Sequence, residues 1–150
     1  MRMRAVLGLL LVLCAVAAEA APAKTPPTSP KQMKAVVHAW SDKLNAGDNQ
    51  GVAHLFRLPA IVVQNYAFRF HTYAQIAEWH SYLPCAGHIT SIRVKGRFAT
   101  AVFRLADRKG SPCDSPGALV AARFEIVGGK IASWQQVPVP ESQPADPNVI

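Results

Sequence analysis

Residues 118–137 read ALVAARFEIVGGKIASWQQV, and this stretch decides the fold. Two apolar-rich runs flank Gly128-Gly129, a pair suited to a tight hairpin turn. In the first run Ala118, Val120, Ala122, Phe124 and Ile126 share one face, because successive strand side chains point to opposite sides. Upstream, Ile89–Gly96 and Arg97–Ala106 are two more runs of similar length, turning at Lys95-Gly96-Arg97. With Ala118–Val127 and Lys130–Val137 they predict four long antiparallel strands joined as hairpins. Asp107–Gly117 is a longer loop carrying Cys113.

The region before these strands reads differently. Met33, Val37, Trp40 and Leu44 form an i, i+4, i+7, i+11 stripe and predict a helix over 31–46. His38, Ser41, Asp42 and Asn45 fall on its other side, towards water. Gly47 suits a helix stop and Asp48 an N-cap, so a short helix is expected over 49–56, ended by Pro59. Ala60–Gln64 reads as a strand with Tyr66–Phe70 as its partner. Thr72 and Gln75 form a capping box for a helix reaching Leu83, with Tyr73, Ile76, Ala77, His80 and Leu83 on its apolar stripe.

The two ends are not expected to join the fold. Arg2 and Arg4, the apolar run Ala5–Ala18 and Ala18-Glu19-Ala20 read as a secretory signal over 1–20. A membrane anchor is the rival, but the run falls short of the roughly 20 residues that span a bilayer. A lipoprotein signal at Cys14 is another, with Leu13 where a small residue is wanted. Residues 21–30 (APAKTPPTSP) read as a Pro-rich linker and 139–150 as a flexible Pro-rich tail, leaving 31–138 as one folded unit. The short leader points to a bacterial periplasmic or secreted protein, with no stable membrane insertion once it is removed.

Export changes the cysteine arithmetic. Cys14 leaves with the signal, and Cys85 and Cys113 remain. An even pair in an exported chain reads as one disulfide, two free buried thiols being the alternative. In a meander, the start of the first strand lies beside the end of the second, which is where these cysteines sit.

A net charge of +7 does not make a nucleic-acid binder, since no dense Lys/Arg run occurs. Arg93 and Lys95 alternate along one strand face; with Arg97 and Arg104 they make either a basic patch or an ordinary solvated face. No zinc pattern, phosphate-binding loop, dinucleotide fingerprint or serine elbow is present, and no metal or cofactor is expected. His80 is the histidine that stands out, because it lies on an apolar helix stripe, where it is either a core residue with one satisfied nitrogen or a pocket group.

Val36-Val37-x-x-Trp40-x-x-x-Leu44-Asn45-Ala46-Gly47-Asp48 and the Phe124–Trp134 hairpin resemble the opening and close of the NTF2-like superfamily, in its SnoaL-like and ketosteroid-isomerase-like branch. The resemblance implies an α+β cone: three helices from the N-terminal half packed in a curved antiparallel sheet of about six strands, open at one end to an apolar pocket. It also implies a homodimer through the outer sheet face. Where steroid-isomerase relatives carry an oxyanion-donor Tyr, a proton-abstracting Asp and a second acidic donor, the matching positions here are Trp40, Gln64 and Ala122. Gln64 cannot act as a base and Ala122 offers no hydrogen bond, so that chemistry is not expected.

The reading that follows is a binding domain for a small apolar or amphipathic molecule. Trp40, Gln64, Tyr66, Tyr73, His80 and Ala122 are the expected pocket residues. Two rivals are an enzyme, dehydratase- or hydrolase-like, using His80 as acid/base, and a partner-binding module acting through the Arg93–Arg97 region.

Overall fold

Ser29 fixes where the first helix begins. Its hydroxyl accepts from the Gln32 backbone N–H, and the Gln32 side chain reaches back to the Ser29 N–H, a capping box with Pro30 at the first helical position. Helix α1 therefore spans Pro30–Asn45, one residue ahead of the expected span at each end. The structure is a computed structural model that describes residues 27–141; the expected leader, residues 21–26 of the linker and residues 142–150 of the tail lie outside it.

Asp48 caps α2 (Asn49–Ala53) by accepting from the Gly51 N–H. This helix stops short of the expected Phe56, which instead opens strand β1 (Phe56–Val63). The reason is tertiary. Phe56 is fully buried opposite Ile131, and the Ile131 N–H donates to the Leu55 carbonyl at 2.9 Å, drawing the chain into the sheet. Pro59 lies inside β1, after a cis bond from Leu58, rather than ending the region. There follow β2 (Ala67–Phe70), α3 (Tyr73–Ser81), β3 (Ala86–Lys95), β4 (Phe98–Ala106), β5 (Leu119–Val127) and β6 (Lys130–Val137). Thr72 and Gln75 cap α3 reciprocally, as their spacing predicts.

The fold is α+β, and its six strands form one sheet in the order β2-β1-β6-β5-β4-β3. β3 to β6 make the expected antiparallel meander. β1 and β6, however, pair in parallel, so the sheet is not antiparallel throughout. They meet in the same direction because α3 and the whole meander intervene between them. Register shifts at Ile89/Ser91 and Glu125/Ile126 mark bulges, which bend a sheet. The core lies between the helices and the inner sheet face, where Val62, Ala99, Ala101, Ala122, Phe124 and Trp134 are buried. Met33, Val37, Trp40 and Leu44 complete it from α1, each aliphatic contributing roughly 1.5–3 kcal/mol when buried.

Ser41 and Asn45 do not face water as the helical pattern predicts. Asn45 Nδ2 donates to the Gly87 carbonyl at 3.0 Å, and the Gly87 N–H donates to Asn45 Oδ1 at 3.2 Å. Ser41, buried, also donates to the Gly87 carbonyl, at 3.2 Å. These bonds fasten α1 to the start of β3. A Cβ on Gly87 would stand 2.7 Å from the Arg104 carbonyl oxygen, so no larger residue fits this strand contact.

Candidate functional site

At the end of the sheet where β1, β4 and β6 finish and β3 and β5 begin, the layers leave a cavity of about 240 Å³. Strand alternation builds its wall. Ala122 and Gln136 are paired across β5 and β6, Phe124 and Trp134 likewise, and Ala101 faces Ala122 from β4, so these side chains share the inner face. Trp40, Phe103 and Trp134 supply the aromatic surface, with Trp40 and Trp134 roughly parallel at 6.1 Å. Gln64 and Gln136 are exposed amides on the lining, and Asp114 is its one charged residue.

Behind the wall, Trp40 and His80 form a closed hydrogen-bond chain. Trp40 Nε1–H donates to His80 Nε2 at 3.2 Å. An indole can only donate, so Nε2 must be the unprotonated nitrogen. His80 Nδ1 lies 2.8 Å from the Ile76 carbonyl, which can only accept, so Nδ1 carries the proton. His80 is thus a neutral imidazole with both nitrogens engaged and no exposed surface. Burial is the main cause of a pKa pushed down to about 4; the bond to Ile76 opposes it and Arg108 adds to it.

This geometry has a pH consequence. The folded pKa lies below the ordinary 6.5, so the unfolded chain binds a proton that the native chain excludes. The stabilisation is complete above about 6.5 and is lost as pH falls towards about 4. Urea midpoints measured across that window are expected to fall at up to ~1.4 kcal/mol per pH unit, and His80→Gln to flatten the slope. An identical slope in the variant would mean that His80 is not the group responsible.

Trp134 presents the opposite case. Its ring is buried on the cavity wall, packed on Trp79 at 5.3 Å, yet its Nε1–H has no hydrogen-bond partner among the described residues. A buried donor left unmade costs about 1–3 kcal/mol.

The loop between β4 and β5 closes one side of the cavity and is held by two devices. Cys85 and Cys113 are joined in a disulfide, their Cα atoms 4.5 Å apart, as the meander argument expects. With no thiol proton, Cys85 does not donate to Asp114 Oδ1 at 3.3 Å; the two are in contact, and bridged sulfurs cannot ligate a metal. The second device is Arg108, buried and with no carboxylate partner among the described residues. Its guanidinium donates to the carbonyls of His80 at 2.7 Å and Leu83 at 3.0 Å and to Asn49 Oδ1 at 2.5 Å. It thereby caps the C-terminal end of α3, where helix carbonyls lack partners and a cation is favoured.

Of the residues singled out from sequence, Trp40, Gln64 and Ala122 line the cavity. His80 lies behind Trp40 and is not part of the lining. Tyr66 is 75% exposed beside β2, and Tyr73 is 36% exposed with its ring 4.5 Å from His54, so neither lines the cavity. The Trp40 indole N–H is committed to His80 rather than open to a ligand. Trp134, Gln136 and Asp114 were not anticipated as lining residues. Period-two alternation from Trp134 would have found Gln136.

No family model and no curated protein sequence matches the chain. Among solved structures it is similar to a candidate polyketide cyclase from Sinorhizobium meliloti, 19% identical, covering 71% of this chain and 98% of that one at a TM-score of 0.56. A candidate ketosteroid isomerase from Kribbella flavida is 16% identical, covers 80% and 88%, and gives 0.55. An NTF2-like protein of unknown function from Cytophaga hutchinsonii is 9% identical, covers 69% and 87%, and gives 0.53. At these identities the likeness shows the fold, which is NTF2-like.

Proposed function

We propose that this protein binds a small, neutral molecule in the cavity between α1 and the inner sheet face. The observation that carries the reading is a cavity walled by the aromatic rings of Trp40, Phe103 and Trp134 with two exposed amides, Gln64 and Gln136, on its lining. The rings would bury a ligand's apolar body, with Gln64 and Gln136 orienting its polar end. The cavity volume of about 240 Å³ is below the roughly 300–1,000 Å³ of drug-sized sites, so a ligand of about one or two rings fits. Asp114 is the lining's one charge, which disfavours an anion. The fold neighbours include candidate enzymes, but a shared fold does not carry activity. His80, with both nitrogens engaged, offers no open acid/base.

The expected leader, the disulfide and the lack of any described helix long and apolar enough to cross a membrane support a periplasmic or secreted setting. The test uses acetophenone, a one-ring neutral ketone, and its anionic counterpart benzoate, titrated by calorimetry. Acetophenone is expected to bind, benzoate at least about tenfold more weakly, and Gln64→Ala/Gln136→Ala to weaken acetophenone by about threefold to tenfold, the worth of one hydrogen bond. Saturable binding that Gln64→Ala/Gln136→Ala leaves unchanged, or benzoate binding as tightly as acetophenone, would overturn this reading. So would no acetophenone binding together with a protein purified from an exporting host that carries no adduct by native mass spectrometry.

A further inference from the structure

The outer face of β3, β4 and β5 is charged with one sign. Arg93, Lys95, Arg97, Arg104 and Arg123 are all exposed there, whereas Glu125 is the single acidic residue on these strands. Arg97 takes that carboxylate at 2.8 Å. Among the described residues the other ion pair is Lys43–Asp48, on the helical side, so four cations of this face have no carboxylate partner.

Register sets their layout. Arg93 and Arg123 flank Thr100 from β3 and β5, which places them two strand spacings apart, about 10 Å. Lys95 lies opposite Phe98, and Arg104 opposite Leu119, towards the other end of the face. The cations thus spread over three strands rather than along a groove. Apolar groups sit among them: Leu119 is 46% exposed, and the Phe98 ring lies beneath the guanidinium groups of Arg97 at 5.6 Å and Arg123 at 5.3 Å. The helical side carries Lys31, Lys34 and Lys43 against Asp42, Asp48 and Glu78, so it is balanced in charge whereas the outer sheet face is not.

From this distribution we infer that the outer sheet face docks on the anionic headgroups of a lipid surface. A two-dimensional array of cations with interspersed apolar side chains matches a two-dimensional array of anions, whereas a linear polyanion is tracked by a stripe or groove. A second copy of the chain is a poor occupant, because face-to-face pairing would bring unpaired cations together.

The protein purified from an exporting host is sedimented with phosphatidylcholine vesicles that do or do not contain phosphatidylglycerol. Binding is expected only to the anionic vesicles and is expected to fall steeply with added salt. Each cation near such a surface is worth roughly fivefold in affinity, so Arg93→Gln/Arg123→Gln is expected to bind about thirtyfold more weakly. Lys31→Gln/Lys34→Gln, on the exposed side of α1, removes the same charge and is expected to change binding by less than about twofold, being beyond a ~10 Å screening length. All four side chains are exposed, so circular dichroism should show both variants folded; the salt titration of the unaltered chain tests the inference without them. Absence of binding to the anionic vesicles would overturn it, as would equal losses in the two variants. So would capture by heparin without vesicle binding, or a salt-resistant dimer broken by Arg123→Glu.

Discussion

Replacing Arg108 by Ala is expected to cost about 3 kcal/mol or more, read as a drop in the urea midpoint. The guanidinium is buried and is charged whatever its surroundings, although burial pulls its pKa down. Its desolvation is offset by bonds to the His80 and Leu83 carbonyls and to Asn49 Oδ1. Removing the side chain orphans all three acceptors and leaves a void between the end of α3, α2 and the β4–β5 loop. Lys is not expected to rescue it, because a single ammonium lacks the planar fork that reaches three separated oxygens. Both variants should fall well below the unaltered protein, Arg108→Lys retaining part of the loss. A cost under about 1 kcal/mol for Arg108→Ala would show that water replaces the guanidinium freely and that the clamp is not structural.

Most of the fold was legible because periodicity reports burial. The stripe Met33, Val37, Trp40 and Leu44, and the alternation Ala122, Phe124, Ile126, are consequences of one buried face and survive in the structure. The misplaced boundaries have tertiary causes. Phe56 is as apolar as a helix needs, but its partner Ile131 lies 75 residues away, and no local pattern shows that pairing. The parallel β1–β6 junction was hidden for the same reason. Ser29-Pro30-Lys31-Gln32 was the reverse case: a local capping signal was present but lay inside a Pro-rich stretch read as linker.

The candidate site was less legible, because hydrogen-bond partners are set by packing. Trp40 and Trp134 are the same residue type on the same wall. One indole meets His80 Nε2 and is satisfied; the other meets none. Nothing in the sequence distinguishes them. His80 read either as a core residue with a satisfied nitrogen or as a pocket group, because a polar residue on an apolar stripe needs explaining. The explanation is two internal partners, Trp40 and Ile76, rather than a ligand. Ser41 and Asn45 misled in the opposite direction: polar side chains on a helix read as solvated until a strand such as β3 offers them Gly87.

Removing the disulfide is the second large effect expected. Cys85 and Cys113 are separated by 28 positions, and closing a loop of that length withholds about 3–4 kcal/mol of chain entropy from the unfolded state. Cys85→Ala/Cys113→Ala should therefore lower the unfolding free energy read from urea titration by about that amount at neutral pH. The same bond ties the β4–β5 loop to the start of β3, and Cys85, Ala86 and Asp114 all line the cavity. Its loss should also loosen ligand binding, which a purely unfolded-state effect would not do. Arg108 anchors that same loop to α3 and α2, and the Lys109 N–H donates to the Asn45 carbonyl at 3.0 Å, so the clamps share a load. With the disulfide absent, Arg108→Ala is expected to cost measurably more or less than it does alone, because neighbours in one network do not add. Strict additivity within about 0.5 kcal/mol would show that the two fasten the loop independently. A double-cysteine variant as stable as the parent would show instead that the packed loop alone suffices to hold the wall, and that the bond contributes nothing in the folded ensemble or the unfolded one.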